Sequence, residues 1–376
     1  MTLKCTVLRS DLIEGLNSLQ NITGKRATLA ILSNILIETT NDSLILTGTD
    51  LEIGLQLHVS AEIHSQGALT LPSKKLFEIV RESGSESIQI EETENSWVII
   101  SAGFSTYNLA GMASDEFPEF PEFEENSFVP FEASVFSEMI DKIIFSVANE
   151  QENIYSLTNV LFEAEKRDEL SYIRMISSDG HRLTIMEKDV VADIERLNLN
   201  PVTLIPKKGI QELKKFCDTL DTVEISFEKK QMVARDNKSI MVIRLKQGEF
   251  PQYKAIVNAV QLENKIEIER IPFLDSLKRI NIFTEDIFHT IQLEIENGKM
   301  ILTSQNADLG NAKDIQELNY EGEPLVLGFN CRYFIETLQV MECDVVEAYI
   351  NSNNSPCLMK SDVDAGFLSI IMPMQL

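Results

Sequence analysis

Residues 3–22 read LKCTVLRSDLIEGLNSLQNI, a short strand running straight into a helix, and this pattern returns twice. The second copy is FVPFEASVFSEMIDKIIFSVA at 128–148, the third NKIEIERIPFLDSLKRINIFT at 264–284. Helical spacing puts Leu12, Leu16 and Leu19 on one face of the first helix. Phe136, Met139, Ile140, Ile143 and Val147 share a face in the second copy, and Phe273, Leu274, Leu277 and Ile280 in the third. Ser10 or Asp11, and Ser134, stand where N-cap side chains are expected.

The copies agree further along. Each continues with alternating strands, as where Leu55, Leu57, Val59, Ala61 and Ile63 interleave with Gln56, His58, Ser60 and Glu62. A second helix is expected within LTLPSKKLFEIVRES (69–83), TLIPKKGIQELKKF (203–216) and LVLGFNCRYFIETLQVM (325–341), and more strands close each copy. The joints also match, DEFPEFPEF at 115–123 and GEFPQY at 248–253. The chain therefore reads as an α+β protein of three similar domains, 1–127, 128–258 and 259–376, each with two helices packed on β-sheets. Strand-rich domains in series leave open sheet edges, and edge-to-edge closure into a ring removes them.

Composition narrows the function. Of the 376 residues 44% are hydrophobic, enough for several cores, and no run of 18 apolar residues crosses a membrane. The N-terminal segment lacks an apolar signal core, which points to the cytoplasm. Five cysteines at long spacings, without CxxC, read as buried thiols rather than a disulfide framework or zinc site. Neither a GxSxG elbow nor a P-loop nor GxGxxG occurs, and His58, His64, His181 and His289 have no metal-ligand spacing. Ser177, Ser178, Asp179, His181 and Arg182 cluster in sequence, but Asp179-Gly180 reads first as a turn. No catalytic residue, cofactor or metal is expected. A net charge of −26 opposes DNA binding unless the 33 Lys and Arg residues gather on one face.

Five segments in order, ILSNILIET (31–39), LTGTDLEIG (46–54), SSDGHRL (177–183), GEFPQY (248–253) and IMPMQL (371–376), resemble the bacterial DNA polymerase III beta subunit, the sliding clamp. The resemblance covers the whole chain. It implies a DNA clamp fold closed as a head-to-tail homodimer, a processivity factor for DNA replication that encircles double-stranded DNA without sequence specificity. Helices would line the hole. Basic residues recur at the starts of the second helices, Lys74 and Lys75, Lys207 and Lys208, with Lys25, Arg26 and Arg279 beside first helices. These are the DNA-binding candidates.

The resemblance also implies one peptide-binding pocket for short linear motifs of the replicative polymerase, clamp loader and repair proteins. By position it comprises Leu157, Ser178, Gly180, His181, Arg182, Leu183, Pro251, Ile256, Ile370 and Met372, adjoined by Asn330, Tyr333, Pro356, Pro373 and Met374. A Met- and Pro-rich cleft accommodates varied apolar anchors. Ser156 replaces an aromatic residue found in some relatives, and Gln375 a commonly basic one, which puts peptide preference in question. The alternative is a non-catalytic protein-interaction scaffold that kept the clamp fold but lost DNA encirclement.

Overall fold

The computed structural model describes residues 2–23, 29–125, 127–149, 155–284, 289–306, 310–352 and 355–375. Seven α-helices occur among them: α1 (Arg9–Leu19), α2 (Ser73–Glu82), α3 (Ala133–Ile143), α4 (Lys207–Cys217), α5 (Tyr253–Ala259), α6 (Arg270–Asn281) and α7 (Cys331–Val340). The expected first helices are α1, α3 and α6, and the second helices α2, α4 and α7. None is long and apolar enough to cross a membrane.

The chain divides into two compact units. One comprises Met1–Ser134, Ala192–Asn200 and Lys208–Leu245. It holds a twelve-stranded sheet, antiparallel throughout, in which the long strand Ile53–Ser65 pairs with Lys4–Leu8 and with Ser239–Arg244. First-repeat strands are thereby continued by second-repeat strands. The order ends at Ser105–Ala110 on one side and Val129–Glu132 on the other. Leu12, Leu16 and Leu19 of α1 are fully buried, with Leu55, Leu57 and Val59 buried beneath; Ala61 and Ile63 are only half-buried. A methyl group on Gly15 would stand 3.1 Å from Val59 and 3.2 Å from Leu46, so α1 lies close on its sheet.

The second unit comprises Val135–Val191, Pro201–Lys207 and Lys246–Leu376. Its eight-stranded sheet runs from Thr203–Pro206 to Lys265–Glu269, and the repeats meet where Arg182–Val190 pairs with Phe367–Ile371. A separate four-stranded sheet ends at Gly310–Glu317.

The repeats share one unanticipated device. The first N–H of α1, at Arg9, donates to Glu86 O at 2.9 Å; that of α3, at Ala133, to Asp221 O at 3.0 Å; that of α6, at Arg270, to Asp344 O at 2.8 Å. Each acceptor immediately precedes a strand, so backbone does what a capping side chain does elsewhere. The expected caps are corrected accordingly: Ser10 and Asp11 lie inside α1, bonded to each other at 2.7 Å, and Ser134 lies inside α3. Arg9 and Arg270 also reach the C-terminal ends of the second helices. Arg9 Nε donates to Val80 O at 2.9 Å, and Arg270 Nη1 to Leu338 O at 3.1 Å, each placing a cation on orphan carbonyls.

Candidate partner pocket and DNA-facing helices

The pocket candidates centre on the turn 178–182. Gly180 has φ +91°, a left-handed conformation that favours glycine. Asp179 Oδ1 accepts the N–H groups of His181 (3.0 Å) and Arg182 (3.1 Å), while Ser178 Oγ donates to Arg182 O at 2.7 Å. Ser177 is spent on structure as well, donating to Ile143 O at 2.8 Å. The cluster that invites a hydrolase reading is therefore a braced turn, with His181 exposed at its tip.

Arg182 is buried behind that turn. Its Nε donates to Asp179 Oδ2 at 2.9 Å and its Nη2 to Phe145 O at 2.6 Å. The guanidinium pairs with Glu336 of α7 and lies 4.4 Å from the Tyr333 ring centroid. Asn330, another candidate, caps α7 by accepting from Arg332 N at 2.9 Å. Phe145 and Glu336 are not among the sequence candidates; both are far along the chain from Arg182, and no local pattern marks them.

The C-terminal strand completes the arrangement. Ile370 pairs with Leu183 on one side and Leu358 on the other. Met372 N donates to His181 O at 2.9 Å and Met374 N to Gly328 O at 2.8 Å. Leu183 and Ile370 belong to a buried cluster with Tyr253 and Val260, against which Phe250 and Val257 are partly buried. Ile256 of α5 and Met372 remain exposed, at 36% and 41%. Pro251, Pro356, Pro373 and Met374 are half-buried, and Leu157 is buried. Ser178, Gly180, His181, Arg182, Leu183, Tyr333, Ile370 and Met372 are thus tied together by bonds, pairing or stacking, while Met374 bonds to Gly328, two residues before Asn330 on the same strand. Leu157, Pro251, Ile256, Pro356 and Pro373 are placed by the elements that carry them. Beside α5 a cleft of about 270 Å³ is lined by Arg174, Ile185, Tyr253, Lys254, Val257 and Asn258.

The basic candidates stand at helix starts. Lys74 and Lys75 are exposed in the first turn of α2, and Lys207 and Lys208 open α4. Cations there oppose the helix dipole, which favours anions at an N-terminus. Arg279 is exposed in the last turn of α6. Glu78 lies between Lys74 (3.8 Å) and Lys75 (2.8 Å), and the Lys75 hydrogen bond holds its carboxyl below the usual range. Lys25 and Arg26 lie outside the described residues, as does the side chain of Ser156.

Three repeats, each a pair of helices on antiparallel sheets, with sheets continued from one repeat into the next, define a three-domain clamp fold. Models of the N-terminal, central and C-terminal domains of the DNA polymerase III beta subunit match residues 3–121, 131–252 and 260–375 in that order. The beta sliding clamp of Vibrio cholerae is 27% identical, over all of both chains. A sliding clamp from Bartonella birtlesii, solved bound to griselimycin, is 26% identical with a TM-score of 0.92, again over all of both chains. The DNA polymerase III beta subunit of Thermotoga maritima is 26% identical with a TM-score of 0.89 over the same full coverage.

The chain belongs to the DNA polymerase III beta subunit family. Its role is that of a sliding-clamp processivity factor in DNA replication, and the scaffold reading is not favoured.

Proposed function

We propose that two copies of this chain close head to tail into a ring around duplex DNA, and that the ring tethers the replicative polymerase, clamp loader and repair proteins through the pocket built on turn 178–182. The recurrence of paired lysines in the first turns of α2 and α4 carries the DNA reading, because a helix start is where a lone structural lysine is least favoured. Such cations meet phosphates without reading sequence. The −26 charge then repels DNA from other faces, and topology holds the ring in place.

Ring closure is supported by the end strands. Ser105–Ala110 and Gly310–Glu317 each terminate a sheet order, and exposed Phe104 and Ile315 mark the hairpin tip of one and the face of the other. Pairing the first strand of one copy with the second of its partner, twice over, satisfies both edges. The domains we assign are 1–127, 128–258 and 259–376, supported by the backbone caps at Arg9, Ala133 and Arg270.

The pocket suits an extended apolar peptide: Ile256 and Met372 are exposed and offer adaptable contacts, while Leu183 and Ile370 are buried. Leu157, Pro251, Pro356 and Pro373 extend this surface. Ser156 and Gln375 set its preference among partner motifs. The ring acts in the cytoplasm and does no chemistry of its own, in keeping with the structural use of Ser177, Ser178 and Asp179.

The test substitutes Lys74, Lys75, Lys207 and Lys208 with Ala and measures loading on DNA against salt. Loading weakens and its salt dependence flattens, by about 0.9 in log–log slope for each phosphate that a lysine no longer neutralises. Unchanged loading and slope would remove these lysines from the DNA face.

A further inference from the structure

Among the described residues, the cations assigned to DNA are already held by the chain itself. Glu78 takes Lys74 and Lys75. Lys208 pairs with Asp50, and Arg279 Nη2 lies 2.6 Å from Asp314. Lys207 donates to Val147 O at 2.8 Å and to Asn149 Oδ1 at 3.2 Å. Asp50 is fixed in advance. Its Oδ1 accepts from Glu52 N (2.9 Å) and Ile53 N (2.7 Å), which leaves Oδ2 for Lys208. The intervening Leu51 sits at φ +73°, a strained conformation for a leucine, held by this turn. Charges of both signs also line a cleft of about 460 Å³ between α1 and α4, with Asp11, Glu14 and Glu212 beside Lys215 and Lys238.

We propose that Asp50, Glu78 and Asp314 are built-in competitors of DNA phosphate, which keep each contact on the DNA face weak and brief. The inference rests on the DNA-facing assignment above and adds what those carboxylates do. Each of these pairs keeps its cation at least 41% exposed while its carboxylate is half-buried, and a pair so open to solvent is weakly held, so a phosphate can displace the carboxylate. The displaced carboxylate then stands beside the phosphate as a like charge and favours its departure. A clamp retained by topology has no need of tight contacts, and a lining that lets go readily slides with little friction.

The test converts the competitors to amides of the same shape in the full-length dimer. Asp50→Asn, Glu78→Gln and Asp314→Asn are combined, and binding to a labelled linear duplex is followed by fluorescence anisotropy across a salt series. A control variant, Glu165→Gln, Glu267→Gln and Glu296→Gln, changes net charge equally at ion pairs not assigned to DNA. Expected is binding roughly tenfold tighter at low salt, with a log–log salt slope steeper by about 0.9 per phosphate engaged, and a smaller change in the control. Unchanged affinity and slope in the first variant overturn the proposal, as does equal tightening in the control, which would make the effect one of bulk charge. The lysine-to-Ala variant, run alongside, separates the two readings. If it weakens binding while the amides change nothing, only the competitor role falls; if it too changes nothing, the DNA-facing assignment falls and the competitors with it.

Discussion

The backbone N–H of Met372 donates to the carbonyl of His181 at 2.9 Å. This bond fastens the last strand of the chain to the turn that presents Arg182 and Leu183. With the Met374–Gly328 bond at 2.8 Å, it makes the C-terminal segment a wall of the proposed pocket rather than a frayed end.

Deletion of residues 372–376 is therefore expected to weaken partner-peptide binding by more than about tenfold, some 1.4 kcal/mol, while the dimer persists. Peptide titration calorimetry with sedimentation of the same sample checks both halves. Unchanged affinity would remove this segment from the pocket.

Arg182→Ala strips a buried cation from Asp179, Glu336, the Phe145 carbonyl and the Tyr333 ring. Loss of one partner from a buried pair costs on the order of 3 kcal/mol. Arg182→Lys keeps the charge but loses the planar fork and stacking, and falls between. Denaturant unfolding ranks the three proteins; a neutral Arg182→Ala would mean that the turn needs no such brace.

Lys142 and Asp364 form a second buried pair, with Nζ donating to Oδ1 at 2.7 Å and to Val340 O at 2.6 Å. Burial pushes the Asp364 carboxyl up, but Lys142, Ser361 and the Glu342 N–H outweigh it and hold it below the usual range. A carboxyl held low contributes stability above its unfolded value, about 3.9, and loses it as pH falls through the folded value. Asp364→Asn is thus most destabilising near neutral pH, and its gap from wild type closes below about pH 4. Melting curves across pH show this convergence, and a gap independent of pH would contradict it.

All five cysteines are buried thiols. Burial pushes Cys5, Cys217, Cys331 and Cys357 up to about 12, and raises Cys343. The native protein is expected to react slowly with a thiol-specific chromogenic reagent at neutral pH and to titrate all five thiols once unfolded. Rapid native labelling at any of the five would show an open site there.

The helices are legible in the sequence because burial imposes a period: Leu12, Leu16 and Leu19, or Phe273, Leu277 and Ile280, are spaced as their buried face requires. The segment IMPMQL stands out because Met372, Pro373 and Met374 prolong the apolar run of the strand Phe367–Ile371. The helix starts are not legible in the same way, since Glu86 O, Asp221 O and Asp344 O satisfy the first N–H groups from distant strands and leave Ser10, Asp11 and Ser134 no capping task. Partners of Arg182 and Lys208 are equally hidden. Glu336 is 154 residues from the one, Asp50 158 from the other, and only the folded sheets bring them within reach.

The central claim is encirclement, and retention on DNA tests it most directly. The clamp is loaded by its loader onto nicked circular duplex, the loader is washed away with salt, and half the sample is linearised with a restriction enzyme. The circular DNA is expected to keep the clamp while the linearised DNA loses it from its ends. Equal retention on the two would mean that affinity holds the protein in place and would contradict the ring.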